Sequence, residues 1–304
     1  MGKRLKNTCI YLGVRLLLGL LRLLGLGLAR RLGRALGRLA LRLGRVERRR
    51  TLANLALAFP ELDEAARLAL ARAVFAHLGE CVAELVHIRR LEPLTEHARL
   101  SPESRAVLDR LFARGQGVVF VTGHLGNWEL MARAMAAHGY GVNTIGQRTY
   151  DPRLTELLAR FRVAGRVNTL WRGEPRLMAR MGEALARNEL MGLLIDQDTD
   201  VPGAFVPFFG RLAFTPTAAA ALARHTGAPL VTGFNHRCPQ GGYEISVEEL
   251  VLAPAAGADP DLVLARDTAE MTARIERQLR AHPAQWVWMH RRWSTRPPGE
   301  GSPP

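Results

Sequence analysis

Residues 117–129 read GVVFVTGHLGNWE. Val118–Thr122 is short and apolar, bounded by Gly117 and Gly123. That is the pattern of a buried strand, and it is too short for a buried helix. From Asn127 to His138 the period turns helical. One strand, one glycine-bounded turn and one helix make a βα unit, and the rest of the chain repeats the theme. Further strands are expected at Val142–Ile145, Val167–Leu170, Met191–Ile195 and Leu230–Phe234, and Tyr243–Val251 alternates like an outer one. Helical patterns fill 152–163, 175–187 and 215–226, the last with Thr215 as N-cap and Gly227 just past its end. A helix from Asp259 to about His282 closes this part of the chain. Upstream, Asn54–Phe59 stops at Pro60, Asp63 caps a helix running to about Arg90, and another follows Pro102 to about Arg114. The expectation is an α/β fold with a largely parallel central sheet flanked by helices. In such sheets ligands gather where strands end and helices begin.

The loop after the first strand carries His124 at the strand end and Glu129 in the first helical turn. A carboxylate that accepts from one imidazole nitrogen leaves the other as a base. The competing reading is a capping glutamate beside a structural histidine. As a metal site the pair is weak, because no HExxH and no third ligand follow. No GxSxG is present, so there is no serine nucleophile elbow. A His–Glu pair without Ser or Cys points to a base acting directly on a substrate hydroxyl.

Composition removes other chemistries. Of 304 residues, 42 are Lys or Arg, and the only lysines are Lys3 and Lys6. Phosphate loops of the Walker type and Schiff-base lysines are thereby excluded. Cys9, Cys81 and Cys238 are few, odd in number and widely spaced, as suits free thiols in a reducing compartment. The formal charge is +14, of which residues 1–50 carry 12 Arg plus 2 Lys less Glu47. The basic charge therefore sits in an N-terminal arm.

Residues 10–29 hold ten leucines interrupted by Arg15 and Arg22. The apolar residues favour insertion by about 6 kcal/mol and the two arginines oppose it by roughly 5–7 kcal/mol, so a bilayer span and an interfacial helix both stand. Beyond them Arg31, Arg34, Arg38, Arg42, Arg45 and Arg49 recur at helical spacing, with Leu32, Leu36, Leu39 and Leu43 on the other face. An anionic membrane surface fits this better than nucleic acid, since aromatics for base stacking are missing there. A cleaved signal peptide is not expected, and the larger positive flank follows the apolar stretch, which keeps the body cytoplasmic if that stretch spans. Three parts are expected: a membrane anchor or interfacial helix over 1–50, a catalytic domain over 51–296, and a loose tail over 297–304.

The His-x4-Glu block, GHLGNWEL, resembles that of the bacterial lipid A biosynthesis acyltransferases, the lauroyl and myristoyl transferase branch of the glycerolipid-type acyltransferases. Further blocks agree in order. They are Asn54-Leu55 with Ala58–Leu62, Asp196-Gln197-Asp198 with Gly203–Gly210, and Gln285–Trp288 with His290–Trp293. The resemblance covers roughly residues 50–296. It implies His124 as general base polarised by Glu129, and Arg172 as a lipid-phosphate ligand. Arg148 is a weaker candidate of the same kind. Asp196 and Asp198 are candidates to orient Arg172 or sugar hydroxyls, and Asn127 is a further substrate-contact candidate. Val206–Phe209 is read as acyl-channel wall or as core, and His290–Arg292 as phosphate ligands or as closure of the fold. The implied reaction is acyl transfer from a thioester, on acyl carrier protein or acyl-CoA, to a glycolipid hydroxyl. The expected place is the cytoplasmic face of the inner membrane, with no metal or organic cofactor. A phosphatidylinositol mannoside acceptor with acyl-CoA is the alternative within the class. A catalytically idle membrane-surface binding protein is the alternative outside it.

Overall fold

The computed structural model describes residues 2–299. The tail expected over 297–304 therefore lies mostly outside the described residues. Four helices come first: α1 (Gly2–Leu23), α2 (Leu26–Leu43), α3 (Arg45–Ala58) and α4 (Glu64–Val86). A short helix, α5 (Leu94–His97), and α6 (Pro102–Phe112) lead into the sheet unit. The seven strands of the central sheet are β1 (Ala98–Leu100), β2 (Val118–Thr122), β3 (Val142–Gly146), β4 (Val167–Trp171), β5 (Leu190–Leu194), β8 (Leu230–Arg237) and β9 (Tyr243–Leu250). Between β5 and β8 the chain makes a separate antiparallel hairpin, β6 (Gly203–Phe208) and β7 (Arg211–Pro216). The remaining helices are α7 (Trp128–Ala137), α8 (Pro152–Ala164), α9 (Leu177–Ala186), α10 (Ala218–Thr226) and α11 (Pro260–Ala281).

The strand order is β1-β9-β8-β2-β5-β3-β4. From β8 to β4 all neighbours are parallel, as expected for strands joined by crossover helices. Strand β9 returns antiparallel to β8 and pairs with β1, which the sequence reading did not anticipate. Alternation along β2 divides the core: Val119 and Val121 face one apolar cluster, Val118 and Phe120 the other.

Two expectations change around residues 203–216. Thr215 is fully buried in β7 and is not a helix cap; α10 starts at Ala218. Val206, Phe208 and Phe209 are core. Phe208 packs on Trp286 and Trp293, and Phe209 on Trp288. The hairpin buries its apolar face against the C-terminal tryptophans, so this segment does not supply the channel wall. Gly227 does end α10 in the left-handed conformation, at φ +72°.

The N-terminal arm is built into the body. Helix α2 lies on α4 so closely that a Cβ at Gly37 would fall 1.9 Å from the Phe75 carbonyl oxygen. Small residues permit that approach, and Arg30–Glu84 at 2.9 Å and Arg34–Glu80 at 3.0 Å tie the pair. The packed face of α2 carries Ala29, Gly33 and Leu41, Leu32 is half-buried, and Leu28, Leu39 and Leu43 stay exposed beside Arg31, Arg38 and Arg42. Residues 10–29 do not form one helix, because the chain breaks between Leu23 and Leu26. Among the described residues no helix is long and apolar enough to cross a membrane.

Candidate active site

Strands β2 and β5 are parallel neighbours with Thr122 opposite Leu194. Two residues beyond each lie His124 and Asp196, side by side where the strands end. Asp196 accepts from His124 Nδ1 at 2.8 Å, from the His124 backbone N–H at 2.6 Å and from Trp286 Nε1 at 2.6 Å. Burial alone would raise the Asp196 pKa. The His124 ring and these donors outweigh it and hold the carboxyl well below the usual range. Asp196 is therefore an anion whose oxygens are both engaged. Nδ1 of His124 carries a proton toward it, and Nε2 is left basic.

The turn that presents His124 is made by glycine. Gly126 has φ +62°, and a Cβ there would meet the Asn235 carbonyl oxygen at 2.2 Å. Its N–H donates to the Gln285 carbonyl at 2.9 Å, and its carbonyl lies 3.1 Å from His77 Nε2. The loop is thus clamped between the C-terminal segment and α4. Beneath it is a buried charge network. Glu84 accepts from Arg237 at 2.7 and 2.8 Å and from the Tyr243 hydroxyl at 2.7 Å. Burial works against the Glu84 charge, but Arg237, Tyr243 and Arg30 together lower its pKa.

Glu129 does not contact His124. It forms a two-pronged ion pair with Arg162 of α8, at 2.5 and 3.0 Å. The reason is positional: α7 carries Glu129 toward α8, while the register of β2 and β5 delivers a different carboxylate to the ring. Arg162 escaped the sequence reading. It sits in the last turn of α8, 33 residues from its partner, in an arginine-rich chain with no motif around it. Glu129 and Arg162 do share His124's cavity. It holds about 700 Å³ and is lined also by Thr122, Trp128, Arg172 and Gln197. Its inner walls are apolar, including Met131, Met135, Val142, Met181, Leu190 and Leu193.

The other candidates separate. Arg172 lines the cavity and its guanidinium donates to the Asp200 carbonyl at 3.2 Å. Arg148 is not among the lining residues; it pairs with Glu174 at 2.8 Å and lies over the Trp171 ring. Asp198 accepts from the N–H and hydroxyl of Thr295, at 2.6 and 2.9 Å, and so holds the C-terminal segment. Asn127 is buried, caps α7 through Leu130 N–H and points its amide at Cys81 O and Glu84. Asp196 contacts His124 and Trp286, and not Arg172. Arg292 is fully buried and donates to Phe214 O and Thr215 Oγ1, which closes the fold. Among the described residues, His236, Cys238 and Glu244 bring donor atoms within 4.8 Å of one another and could hold a metal ion, but none of them lines the cavity.

An imidazole backed by an anion, lining an apolar cavity with arginines on its wall, suits proton removal from a hydroxyl beside a long apolar chain. The sequence profile of the bacterial lipid A biosynthesis acyltransferases matches residues 3–295. The chain is 30% identical over 287 residues to a lipid A biosynthesis lauroyltransferase of Escherichia coli, covering 88% of this chain and 86% of that one. It is 26% identical over 276 residues to the E. coli lipid A biosynthesis myristoyltransferase, covering 88% and 81%. It is also 27% identical over 210 residues to a phosphatidylinositol mannoside acyltransferase of Mycobacterium tuberculosis, covering 66% and 64%. The chain belongs to the bacterial lipid A biosynthesis acyltransferase family, and with it to the acyltransferases.

Proposed function

We propose that the protein moves a fatty acyl group from acyl carrier protein to a hydroxyl of a lipid A precursor, without a covalent enzyme intermediate. The observation that carries this is the His124–Asp196 pair, with His124 on the wall of the apolar cavity. The acyl chain lies along Met131, Met135 and Val142. His124 Nε2 takes the acceptor hydroxyl's proton as the oxygen attacks the thioester carbonyl, and Asp196 stabilises the imidazolium that forms; the tetrahedral intermediate then collapses with cleavage of the C–S bond, and the imidazolium returns the proton to the departing carrier thiolate. Glu129 serves through Arg162, whose guanidinium is a donor within the cavity for developing oxyanion charge. Arg172 at the wall is the ligand for a lipid phosphate. No metal or organic cofactor enters this scheme.

The site reaches its lipid from a membrane surface. Leu5, Ile10, Leu12, Leu16, Leu20 and Leu23 of α1 are exposed, and Leu28, Leu39 and Leu43 continue this apolar surface among the arginines of α2. Such a face fits the anionic cytoplasmic leaflet of the inner membrane. A phosphatidylinositol mannoside acceptor with acyl-CoA as donor is the second reading, favoured by the mycobacterial relative.

The test is mass spectrometry of lipid A from a Gram-negative strain lacking one late acyltransferase, with and without this protein. A gain of one fatty acyl mass, lost in His124→Ala, supports the reading. No gain from folded, membrane-bound protein refutes the lipid A acceptor, and total mycobacterial lipid with labelled acyl-CoA then tests the second reading.

A further inference from the structure

Gln197 is the middle residue of the Asp-Gln-Asp segment, and the scheme above gives it no role. Its Nε2 lies 3.1 Å from both ring nitrogens of His124 and 2.8 Å from His290 Nε2. A group equidistant from both imidazole nitrogens at that range cannot lie in the ring plane, where it would collide with the carbon between them. The amide therefore sits over the ring face. It blocks neither lone pair and leaves Nε2 free toward the cavity. Trp128 meets the same ring in a T-shaped contact, with centroids 5.0 Å apart. His124 is thus held at its edge by Asp196 and on its face by Gln197.

Gln197 needs an anchor in turn. His290 Nε2 accepts from its amide, which requires a neutral ring with the proton on Nδ1. The surroundings supply that state. Burial foremost, then the neighbouring His124 and Arg50 of α3, press the His290 pKa down to about 4, against the opposing pull of Asp196. The His124 and His290 rings are 5.4 Å apart at the centroids, so one amide spans the gap.

We propose that Gln197 and His290 are positioning residues for acyl transfer: His290 anchors the Gln197 amide against the face of His124, so that Nε2 stays aimed at the acceptor hydroxyl. This rests on the reading of His124 as general base. Misplacement of a reacting group by about 1 Å costs on the order of 10²-fold in rate, while binding contacts of the acyl chain elsewhere are untouched.

The experiment is steady-state kinetics of the purified full chain with lauroyl-acyl carrier protein and a lipid A precursor. The set is wild type, Gln197→Ala, His290→Leu, His290→Asn, the Gln197→Ala/His290→Leu double variant and His124→Ala. The expected result is a ten- to hundredfold fall in kcat for Gln197→Ala and for His290→Leu, with KM for the acyl donor within twofold. The double variant is expected to be no slower than the worse single one, because the two act as a unit. His290→Asn, which keeps an acceptor oxygen, is expected to recover at least part of the loss. Multiplicative losses in the double variant, or wild-type kcat in Gln197→Ala, would overturn the proposal. Should His290→Leu fail to fold, Gln197→Ala against His290→Asn still decides it. If His124→Ala itself turns over normally, the base reading has failed, and the positioning role with it. If only His124→Ala is inactive, the base stands and the positioning role is wrong.

Discussion

His124 and Asp196 meet because Thr122 and Leu194 are cross-strand partners, and each functional residue lies two positions further on. The carboxylate next to the imidazole is delivered by the sheet, across 72 residues of sequence, and not by the adjacent helix. Glu129, five residues from His124, is engaged by Arg162 instead.

Asp196→Asn is expected to lower kcat by roughly 10²–10⁴-fold, since the imidazole loses both its tautomer control and the anion that supports its charge. Glu129→Gln is expected to reduce kcat less, through Arg162. Steady-state kinetics of the two variants separate the roles, and a wild-type kcat in Asp196→Asn would contradict the pairing.

The buried network under the loop is expected to matter for stability. Glu84→Ala strips Arg237, Arg30 and the Tyr243 hydroxyl of their shared acceptor. Removing one partner of a buried ion pair costs about 3–5 kcal/mol. Denaturant unfolding of the detergent-solubilised protein checks this, and a loss under about 1 kcal/mol would mean that water replaces the carboxylate.

Acid sensitivity follows from two histidines. Burial first of all lowers His77 to about 4, and likewise His290 to about 4, from an ordinary 6.5. The unfolded chain then binds more protons than the folded one between those values. Stability is full above about pH 6.5 and falls as pH drops toward 4, by about 3 kcal/mol for each fully counted group. Asp196, held low, contributes stability that is lost only below its ordinary 3.8. Melting temperatures at pH 7 and pH 5 are expected to differ for the wild type, and to differ less for His290→Asn.

Vesicle binding should depend on the exposed leucines as well as the arginines. Replacing Leu12, Leu16 and Leu20 by Ser removes three exposed apolar side chains from α1. It is expected to weaken sedimentation with anionic vesicles at least tenfold, given about 1.5–3 kcal/mol per fully buried large apolar side chain. Raising salt to 1 M should weaken wild-type binding only in part, because screening reaches the arginines and not the leucines.

Much of this protein was legible in its residues. Val118–Thr122 between two glycines reads as a central strand, because a strand buried on both faces must be continuously apolar, and the four later strand segments are short and β-branched or apolar at their ends. His124 was identifiable for the same reason, since it stands where such a strand ends. The hairpin Gly203–Pro216 and the three-residue β1 were not legible. The hairpin is stabilised by tryptophans some 80 positions away, and β1 by pairing with β9. The helical period of α2 was readable, but which face would pack was not. Gly33 and Gly37 face α4 because without side chains they let its backbone at Gly79 and Phe75 come close. The carboxylate chosen by His124, the Arg162 that claims Glu129, and the Gln197–His290 bridge were likewise decided by tertiary structure. Local sequence sets which residue types reach a strand end or a helix turn. Only the register between strands, and the helices packed over them, decides which of those side chains stand within hydrogen-bonding distance.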